Sequence, residues 1–327
     1  MVETQPVSIN DLAKRNKLNG STFKKQYKEN LSDFREWEQG LIPDTLIYPK
    51  NFGPRMSIDE TSLHNGELYT IVTNKDAKGK KGALAALIKG TKASIVSEAI
   101  CTVPIGIRMK VEEITLDLAN NMDFICRESF PNAVLTADRF HFQKVVSEGV
   151  QEMRIKLRRA AIDEENLKIM EARKQKKAYK SQTYTNGDTP KQLLARSIYL
   201  LFKPKNKWTQ SQRERACILF DEFPALKTAY MSSLMFRNIF ETAKSREEGK
   251  AKLNKWHEKV SEDGFTEMIS AGNTIKTNEG KILNYFYTRS TNASAESFNA
   301  KLKGFRALLR GVSDINFFLF RIEKLFA

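Results

Sequence analysis

The order of predicted strands and helices between residues 55 and 137 constrains the fold of this chain more than any other sequence feature. The predicted strands are Met56–Ser62, Leu68–Asn74, Ala83–Ile88, Val111–Leu118 and Ala133–Ala137. Turns at His64-Asn65-Gly66 and at Gly79-Lys80-Lys81-Gly82 link the first three as an antiparallel meander, whereas helices precede the last two. Strands reached through helical crossovers are expected to lie parallel to the first strand. The pattern therefore predicts a mixed five-stranded sheet with flanking helices, an α/β (α+β) fold.

Acidic side chains accompany three of these strands. Asp59 follows Ile58 in the first strand, Asp117 follows Leu116 in the fourth, and Asp138 directly follows the fifth. If the first and fourth strands are parallel neighbours, Asp59 and Asp117 lie close together. Carboxylate oxygens are the hard ligands that Mg²⁺ prefers, and pairs of divalent ions catalyse phosphoryl transfer. The sequence therefore predicts a metal site here, although a single acid at a strand end more often caps a turn.

A helix near the C-terminus carries a further acid beside a row of cations. An apolar face is predicted from the three- and four-residue spacing of Ala295, Phe298, Leu302, Phe305 and Leu309. The same spacing, shifted by one residue, gives a neighbouring stripe of Glu296, Asn299, Lys303, Arg306 and Arg310. If this helix packs on the sheet, Glu296 completes the acidic site and the cations are placed to hold phosphates.

The charge balance indicates a polyanionic partner. The chain has 54 Lys and Arg against 39 Asp and Glu, a net charge of +15, which makes nucleic acid the leading partner class. Trp208 follows a basic segment and is a candidate for stacking on an unpaired base, with a place in the core as the alternative. Three dispersed cysteines form no disulfide or zinc pattern, and no signal peptide or membrane span is predicted.

Several sequence blocks together resemble the DDE transposases of bacterial insertion sequences, and among these the ISL3-like group. They are Ile58-Asp59-Glu60, Ile114–Leu118, Phe130–Ala133 followed by Ala137-Asp138-Arg139-Phe140-His141, and Asn292–Asn299 with Lys301 and Lys303. The resemblance extends over residues 55–325. It implies an RNase H-like fold and Mg²⁺-dependent cleavage and strand transfer at the ends of a mobile DNA element. Two Mg²⁺ ions are implied, with Mn²⁺ as an alternative.

Carried onto this chain, the resemblance implies that Asp59 is the first catalytic acid and Glu296 the last. Asp117 and Asp138 are both candidates for the second. The family fold places its second acid on the fourth strand, beside the first acid, which favours Asp117 as the catalytic and metal-binding residue. Asp138 and His141 are then expected to support the site. The expected DNA contacts, apart from Trp208, are Arg139, Asn299, Lys301, Lys303, Arg306 and Arg310.

The implied organisation has four parts. Residues 1–50 hold a helix-turn-helix DNA-binding region and a linker at Asp44–Pro54, with a plain helical hairpin as the alternative reading of the two helices. Residues 51–142 form the first part of an RNase H-like catalytic core, residues 143–285 a helical insertion, and residues 286–327 the catalytic helix that completes the core. The helix carrying Glu296 is expected to be the last of the chain.

The expected partner is double-stranded DNA, both at the element ends and at the target. A homodimer or higher oligomer is expected on DNA, because two ends must be brought together, and the expected location is the bacterial cytoplasm, associated with the nucleoid. Two alternatives remain at this point. One is a catalytically inactive, transposase-derived DNA-binding regulator, and the other is an RNase H-fold nuclease that cleaves DNA without joining strands.

Overall fold

Six strands within the described residues form one mixed sheet. The computed structural model describes residues 1–40, 44–64, 66–289 and 291–327. The strands are β1 Thr45–Ile47, β2 Arg55–His64, β3 Glu67–Asn74, β4 Leu84–Lys89, β5 Glu113–Leu116 and β6 Val134–Ala137, and their order in the sheet is β1-β4-β3-β2-β5-β6. Strand β5 is parallel to β2 and to β6, and the other pairs are antiparallel. This arrangement is compatible with an RNase H-like fold, as expected; the predicted turn at residues 64–66 includes Asn65, which lies outside the described residues.

The first strand corrects the predicted linker and the predicted number of strands. Residues Thr45–Ile47 pair antiparallel with β4, and the amide of Tyr48 donates to the carbonyl of Ala85 at 2.8 Å. Leu46 is only 2% exposed, so this short segment is held by burial of one apolar side chain as well as by the ladder. The prolines on either side fit a short edge strand, which leaves unpaired amides on one side. A linker reading was wrong for this segment.

The chain outside the sheet is largely helical. The helices are α1 Ile9–Arg15, α2 Gly20–Gln26, α3 Phe34–Gly40, α4 Ala93–Cys101, α5 Ile105–Arg108, α6 Asn120–Ser129, α7 Arg139–Lys174, α8 Pro190–Arg196, α9 Ile198–Leu201, α10 Gln210–Glu222, α11 Pro224–Thr242, α12 Arg246–Asp263, α13 Thr266–Thr277, α14 Glu279–Leu283, α15 Tyr285–Thr288, α16 Ala293–Leu308 and α17 Ile315–Phe326. The chain divides into two compact units. The sheet unit comprises Met1–Arg139 and Thr288–Ala327, and the helical unit comprises Phe140–Tyr287.

Apolar residues cover both faces of the sheet. Helices α4 and α6 pack on one face, where Ile58 and Ile114 are among the buried residues. Helices α16 and α17 pack on the other, against residues that include Ile71 of β3. Because side chains alternate along a strand, Asp59 next to Ile58 lies on the face that α16 covers, opposite Ile71 in the ladder. The fold thus directs this acid toward the helix that carries Glu296.

The helix that carries Glu296 was expected to be the last helix of the chain, and this prediction was wrong. Helix α17 follows it and is apolar around most of its circumference, with Phe318 and Phe320 almost fully buried. Phe320 packs edge to face against Phe34, at 5.4 Å between ring centroids. The cluster around these rings also includes Ile9 of α1 and Tyr27, which follows α2. The N-terminal helices therefore pack on α17 within the sheet unit.

The helical unit contains a contact that is sensitive to one added carbon atom. A Cβ built on Gly249 of α12 would lie 2.3 Å from Cε2 of Phe286, whose ring stacks on Phe240. We expect Gly249→Ala to destabilise this unit by about 1–3 kcal/mol, because overpacking outweighs the gain in helix propensity. Gly280→Ala is the matched control, since no atom lies within 4 Å of its Cβ position. Urea midpoints check this: a lower midpoint for Gly249→Ala alone is expected, and equal midpoints would contradict it.

Candidate active site

Strand register brings three acids to adjacent positions on one face of the sheet. The parallel ladder pairs Ser57 of β2 with Thr115 of β5. Two residues further along, this register sets Asp59 level with Asp117, and strand neighbours are about 4.8 Å apart. The ladder between β5 and β6 pairs Leu116 with Ala137, and the amide of Asp138 donates to the carbonyl of Leu116 at 2.8 Å. Asp117 therefore lies between the other two acids.

Both carboxylate oxygens of Asp59 are held by the protein. Its Oδ1 accepts from the amide of Glu60 at 2.8 Å, and its Oδ2 accepts from Nδ2 of Asn299 at 2.7 Å. Asn299 is 6% exposed, so this hydrogen bond is shielded from water. The bond joins β2 to α16 and fixes the rotation of the carboxylate. Asn299, which was expected to contact DNA, thus faces the first acid.

Asp117 and Asp138 differ in exposure and in hydrogen bonding. Asp117 is partly buried, and its Oδ1 accepts from the amide of Ala119 at 2.8 Å in the turn that precedes α6. Asp138 is 2% exposed, and its Oδ1 accepts from the amide of Asn292 at 2.9 Å. Asn292 is the residue at the start of α16, so Asp138 caps the helix that carries Glu296. Asp138 therefore contacts the start of that helix, whereas Asp117 is the more exposed carboxylate.

The remaining residues of α16 separate into docking contacts and exposed cations. Nζ of Lys301 donates to the carbonyl of Gly79 at 2.9 Å, and a guanidinium nitrogen of Arg306 donates to the carbonyl of Ser62 at 3.4 Å. Lys303 is exposed on the helix. Glu296 is also exposed, in the first turn of α16. Arg310 lies beyond the end of the helix in a left-handed conformation, with φ of 58°, and does not extend the helical stripe.

A buried ion pair lies on the same sheet face and was not anticipated from the sequence. Nζ of Lys75 donates to the hydroxyl of Thr115 at 2.7 Å and lies 3.4 Å from Oε1 of Glu113. Burial lowers the pKa of the Lys75 ammonium, an effect that the charge of Glu113 opposes. Glu113 and Thr115 alternate with the core residues of β5 and lead directly to Asp117. The partners are 38 residues apart in sequence, so no spacing pattern could have revealed them.

Trp208, Arg139 and His141 are the three other predicted site residues. Trp208 belongs to the helical unit, where it is 8% exposed, stacks on Tyr230 at 5.6 Å between centroids, and donates its indole N–H to the carbonyl of Leu200. Its ring is covered by the protein's own side chains, which corrects the expectation that it stacks on a base. Arg139 begins α7 and His141 lies two residues further along, both partly buried.

The donor set is suited to a divalent cation but does not form a closed cage. Within residues 1–40, 44–64, 66–289 and 291–327, no three His, Cys, Asp or Glu side chains are grouped closely enough to hold a metal ion. Asp59 and Asp117 nevertheless lie level on neighbouring strands, and carboxylates from a few residues suffice for Mg²⁺, which retains several of its waters. The pair is a candidate for holding such an ion, and Glu296, the third ligand expected from the sequence, is exposed in the first turn of α16.

The parallel β2–β5–β6 arrangement, with one acid within β2 and acids directly after β5 and β6, places the chain among mixed α/β proteins with an RNase H-like fold. The model of a transposase family, the ISL3-like DDE transposases, matches residues 56–322. The chain belongs to this family. No curated protein matches the chain significantly. Among the described residues, no helix is both long enough and apolar enough to cross a membrane.

Proposed function

We propose that this transposase cleaves DNA at the ends of an insertion sequence and joins the freed strands to target DNA, using Asp59, Asp117 and Glu296 with Mg²⁺. The observation that carries the proposal is the register of β2 and β5, which pairs Ser57 with Thr115, each two residues before one of the first two acids. Family membership supports the class of reaction. The assignment of individual acids rests on the geometry of the sheet unit.

Two hydrogen bonds between α16 and the sheet support a position of Glu296 near Asp117. Asn292 is bonded to Asp138 after β6, and Asn299 is bonded to Asp59 in β2. The seven residues from Asn292 to Asn299 correspond to about 10.5 Å along a helix axis. The distance from β2 to β6 is two strand spacings, about 9.6 Å, which is similar. Glu296 is four residues beyond Asn292, about 6 Å along the axis. This spacing supports a position of Glu296 near β5, the strand that leads to Asp117.

The chain's own residues contribute positioning and charge. Asp59, Asp117 and Glu296 would hold two Mg²⁺ ions, with Mn²⁺ as an alternative, and bound divalent ions activate the attacking oxygen and stabilise the leaving oxygen. Asn299 keeps the Asp59 carboxylate in one orientation, and Asp138 keeps the first turn of α16 over the sheet. In cleavage, water attacks phosphorus, the bond from phosphorus to the 3′-oxygen breaks, and a 3′-hydroxyl is left to attack the target.

The basic residues of α16 would hold the DNA near the cut. Lys303 and Arg310 are exposed, and we assign them contacts to backbone phosphates, which position a duplex without reading its sequence. The α1–α2 pair is the candidate for recognition of the element ends. A homodimer or higher oligomer on double-stranded DNA would pair two ends, and the bacterial cytoplasm, at the nucleoid, is the proposed location.

The proposal is tested by incubating the full chain with duplex DNA that carries the ends of its element, in Mg²⁺ or in EDTA. We expect nicks at the ends and products joined to target DNA in Mg²⁺, and neither product in EDTA. A duplex with scrambled ends of the same length and composition is the control substrate. Gel analysis of end-labelled strands distinguishes nicked from joined products.

Each other outcome of this experiment contradicts the proposal in a different way. Nicks without joined products in Mg²⁺ would identify a nuclease of the same fold. Binding to the ends without any nick would identify a DNA-binding regulator. Equal cleavage in EDTA would exclude a role for the divalent ions, and equal cleavage of scrambled ends would exclude end recognition.

A further inference from the structure

A cationic patch of the helical unit lies where α7 ends, and the proposed reaction does not use it. We define the α7 tip as Arg173, Lys174, Lys176, Lys177 and Lys180, five cations within eight residues. All five side chains are exposed. The chain contains no Asp or Glu from Ala172 to Gly187. The segment is therefore a dense run of positive charge, bordered in sequence by Glu171 and Asp188.

The backbone of the α7 tip is fixed rather than frayed. The amide of Lys177 donates to the carbonyl of Ala172 at 2.9 Å, and the amide of Lys176 donates to that of Arg173 at 3.0 Å. These two bonds form a Schellman motif, with Lys176 in the left-handed conformation at φ of 57°. Glycine is preferred at that position, because a side chain there costs about 1 kcal/mol. The chain thus places a lysine where helix termination alone favours glycine.

Two of the acids near the α7 tip, Glu165 and Asp188, are engaged with other residues. Glu165 of α7 pairs with Lys191 at 2.5 Å and also accepts from the hydroxyl of Ser181. Asp188 is fully buried and pairs with Arg196 and Arg215. These contacts hold the returning chain against α7 and α8. They leave the five tip cations without an ion pair inside the part of the chain that the structure describes.

The charge of the tip exceeds what helix capping requires. A cation at a helix C-terminus interacts favourably with the helix dipole by about 0.3–1 kcal/mol, and this effect is confined to the last turn. Lys177 and Lys180 lie beyond that turn, and adjacent like charges repel one another. Duplex DNA carries about one negative charge per 1.7 Å of axis, and a patch that displaces its condensed counterions gains affinity. A fixed, exposed and unpaired cluster is suited to that surface.

We infer that the α7 tip is a sequence-independent binding surface for the phosphate backbone of double-stranded DNA. The inference rests on the proposed function for the identity of the polyanion, and it adds a second DNA contact, on the helical unit. The contact does not involve the acids of the sheet unit. Its contribution therefore appears in binding rather than in the chemical step.

The test measures the affinity for a fluorescent duplex unrelated to the element ends, as a function of KCl concentration. Each lost phosphate contact reduces the slope of log K against log salt by about 0.9. For the triple variant Lys174→Gln, Lys177→Gln and Lys180→Gln we expect the slope to decrease by about 2–3 and the affinity to fall at least about tenfold. The matched control is Lys227→Gln, Lys255→Gln and Lys276→Gln, which removes three exposed cations of the same unit. This control is expected to retain the wild-type slope.

A single substitution separates charge from folding. Lys176→Gly removes one tip cation and supplies the residue that a left-handed helix cap prefers. We expect its unfolding midpoint to equal or exceed that of the wild type while the salt slope decreases by about 0.9. Unchanged salt slopes in the tip variants would overturn the inference, and this result is expected if the tip binds an acidic protein instead of DNA. Equal losses of slope in the tip and control triple variants would also overturn it.

The outcome is distinguishable from failure of the proposed function. The tip variants are expected to nick end-bearing DNA at the wild-type rate once DNA is saturating, because the acids are untouched. Loss of slope with no metal-dependent nicking in any variant would support the tip and contradict the proposed chemistry. Wild-type slope with normal nicking would contradict the tip and leave the proposed chemistry intact.

Discussion

Replacement of Asp117 by Asn is expected to lower the rate of Mg²⁺-dependent DNA cleavage by at least about a thousandfold, whereas Asp138→Asn retains cleavage within about tenfold. A carboxylate that holds a catalytic divalent ion supports several kcal/mol of transition-state stabilisation, and about 4 kcal/mol corresponds to a thousandfold change in rate. The amide of Asn is neutral and is a much weaker ligand. Asp117 directly follows β5, whose register with β2 extends toward Asp59, so its charge is the one expected to act on the ions.

The two substitutions are closely matched. Asn retains a side-chain oxygen, so position 117 keeps its acceptor for the amide of Ala119 and position 138 keeps its acceptor for the amide of Asn292. Asp138→Asn removes one charge near the N-terminus of α16, worth about 0.3–1 kcal/mol. In both variants the backbone amide keeps a side-chain acceptor, and both are expected to fold. Differences in cleavage therefore report on the chemistry at each position.

Single-turnover cleavage at saturating DNA, with unfolding midpoints measured in parallel, checks the assignment. The expected pattern is loss at position 117 and retention at position 138, with similar midpoints. The reverse pattern would identify Asp138 as the second catalytic acid. Retention of activity in both variants would exclude both residues from the metal site.

The sequence was sufficient to predict the strands that carry the acids. Alternation and turn signals predicted five strands of the sheet to within a few residues, and the parallel pairing of β2 with β5 followed from the helical crossover between them. Strand β1 was missed because three residues between prolines give no periodic signal. Its stability comes from burial of Leu46 against a sheet that is distant in sequence, which propensity alone does not reveal.

The burial of individual side chains on α16 was harder to predict. A helical stripe gives the direction of a side chain but not what lies opposite it, so Asn299 was grouped with the cations although it is buried on Asp59. The contact joins residues 240 positions apart. The same reason applies to Trp208. Its basic flanking segment suggested an exposed position, but its ring stacks on Tyr230 in the core of the helical unit. Whether such a side chain is buried or exposed depends on contacts with residues that are distant in sequence.

The buried contact of Asn299 with Asp59 is expected to affect how tightly the site holds Mg²⁺. In Asn299→Ala we expect the Mg²⁺ concentration for half-maximal cleavage to rise by about 10–100-fold, because residues that orient metal ligands have effects of this size. Without the donor Nδ2, the Asp59 carboxylate loses the bond at 2.7 Å that fixes its Oδ2. Excess Mg²⁺ is expected to restore much of the rate, since the carboxylate itself remains.

A DNA contact at position 299 would give a different result. Lys303→Ala, on the same helix and exposed, is the contrasting variant: we expect it to weaken DNA binding and to leave the Mg²⁺ requirement unchanged. Asn299→Ala is expected to leave the salt dependence of DNA binding unchanged, because its amide is turned to Asp59 and shielded from solvent. If Asn299→Ala weakens DNA binding and leaves the Mg²⁺ requirement unchanged, the residue contacts DNA. The link between α16 and the first acid would then serve only to pack the helix on the sheet.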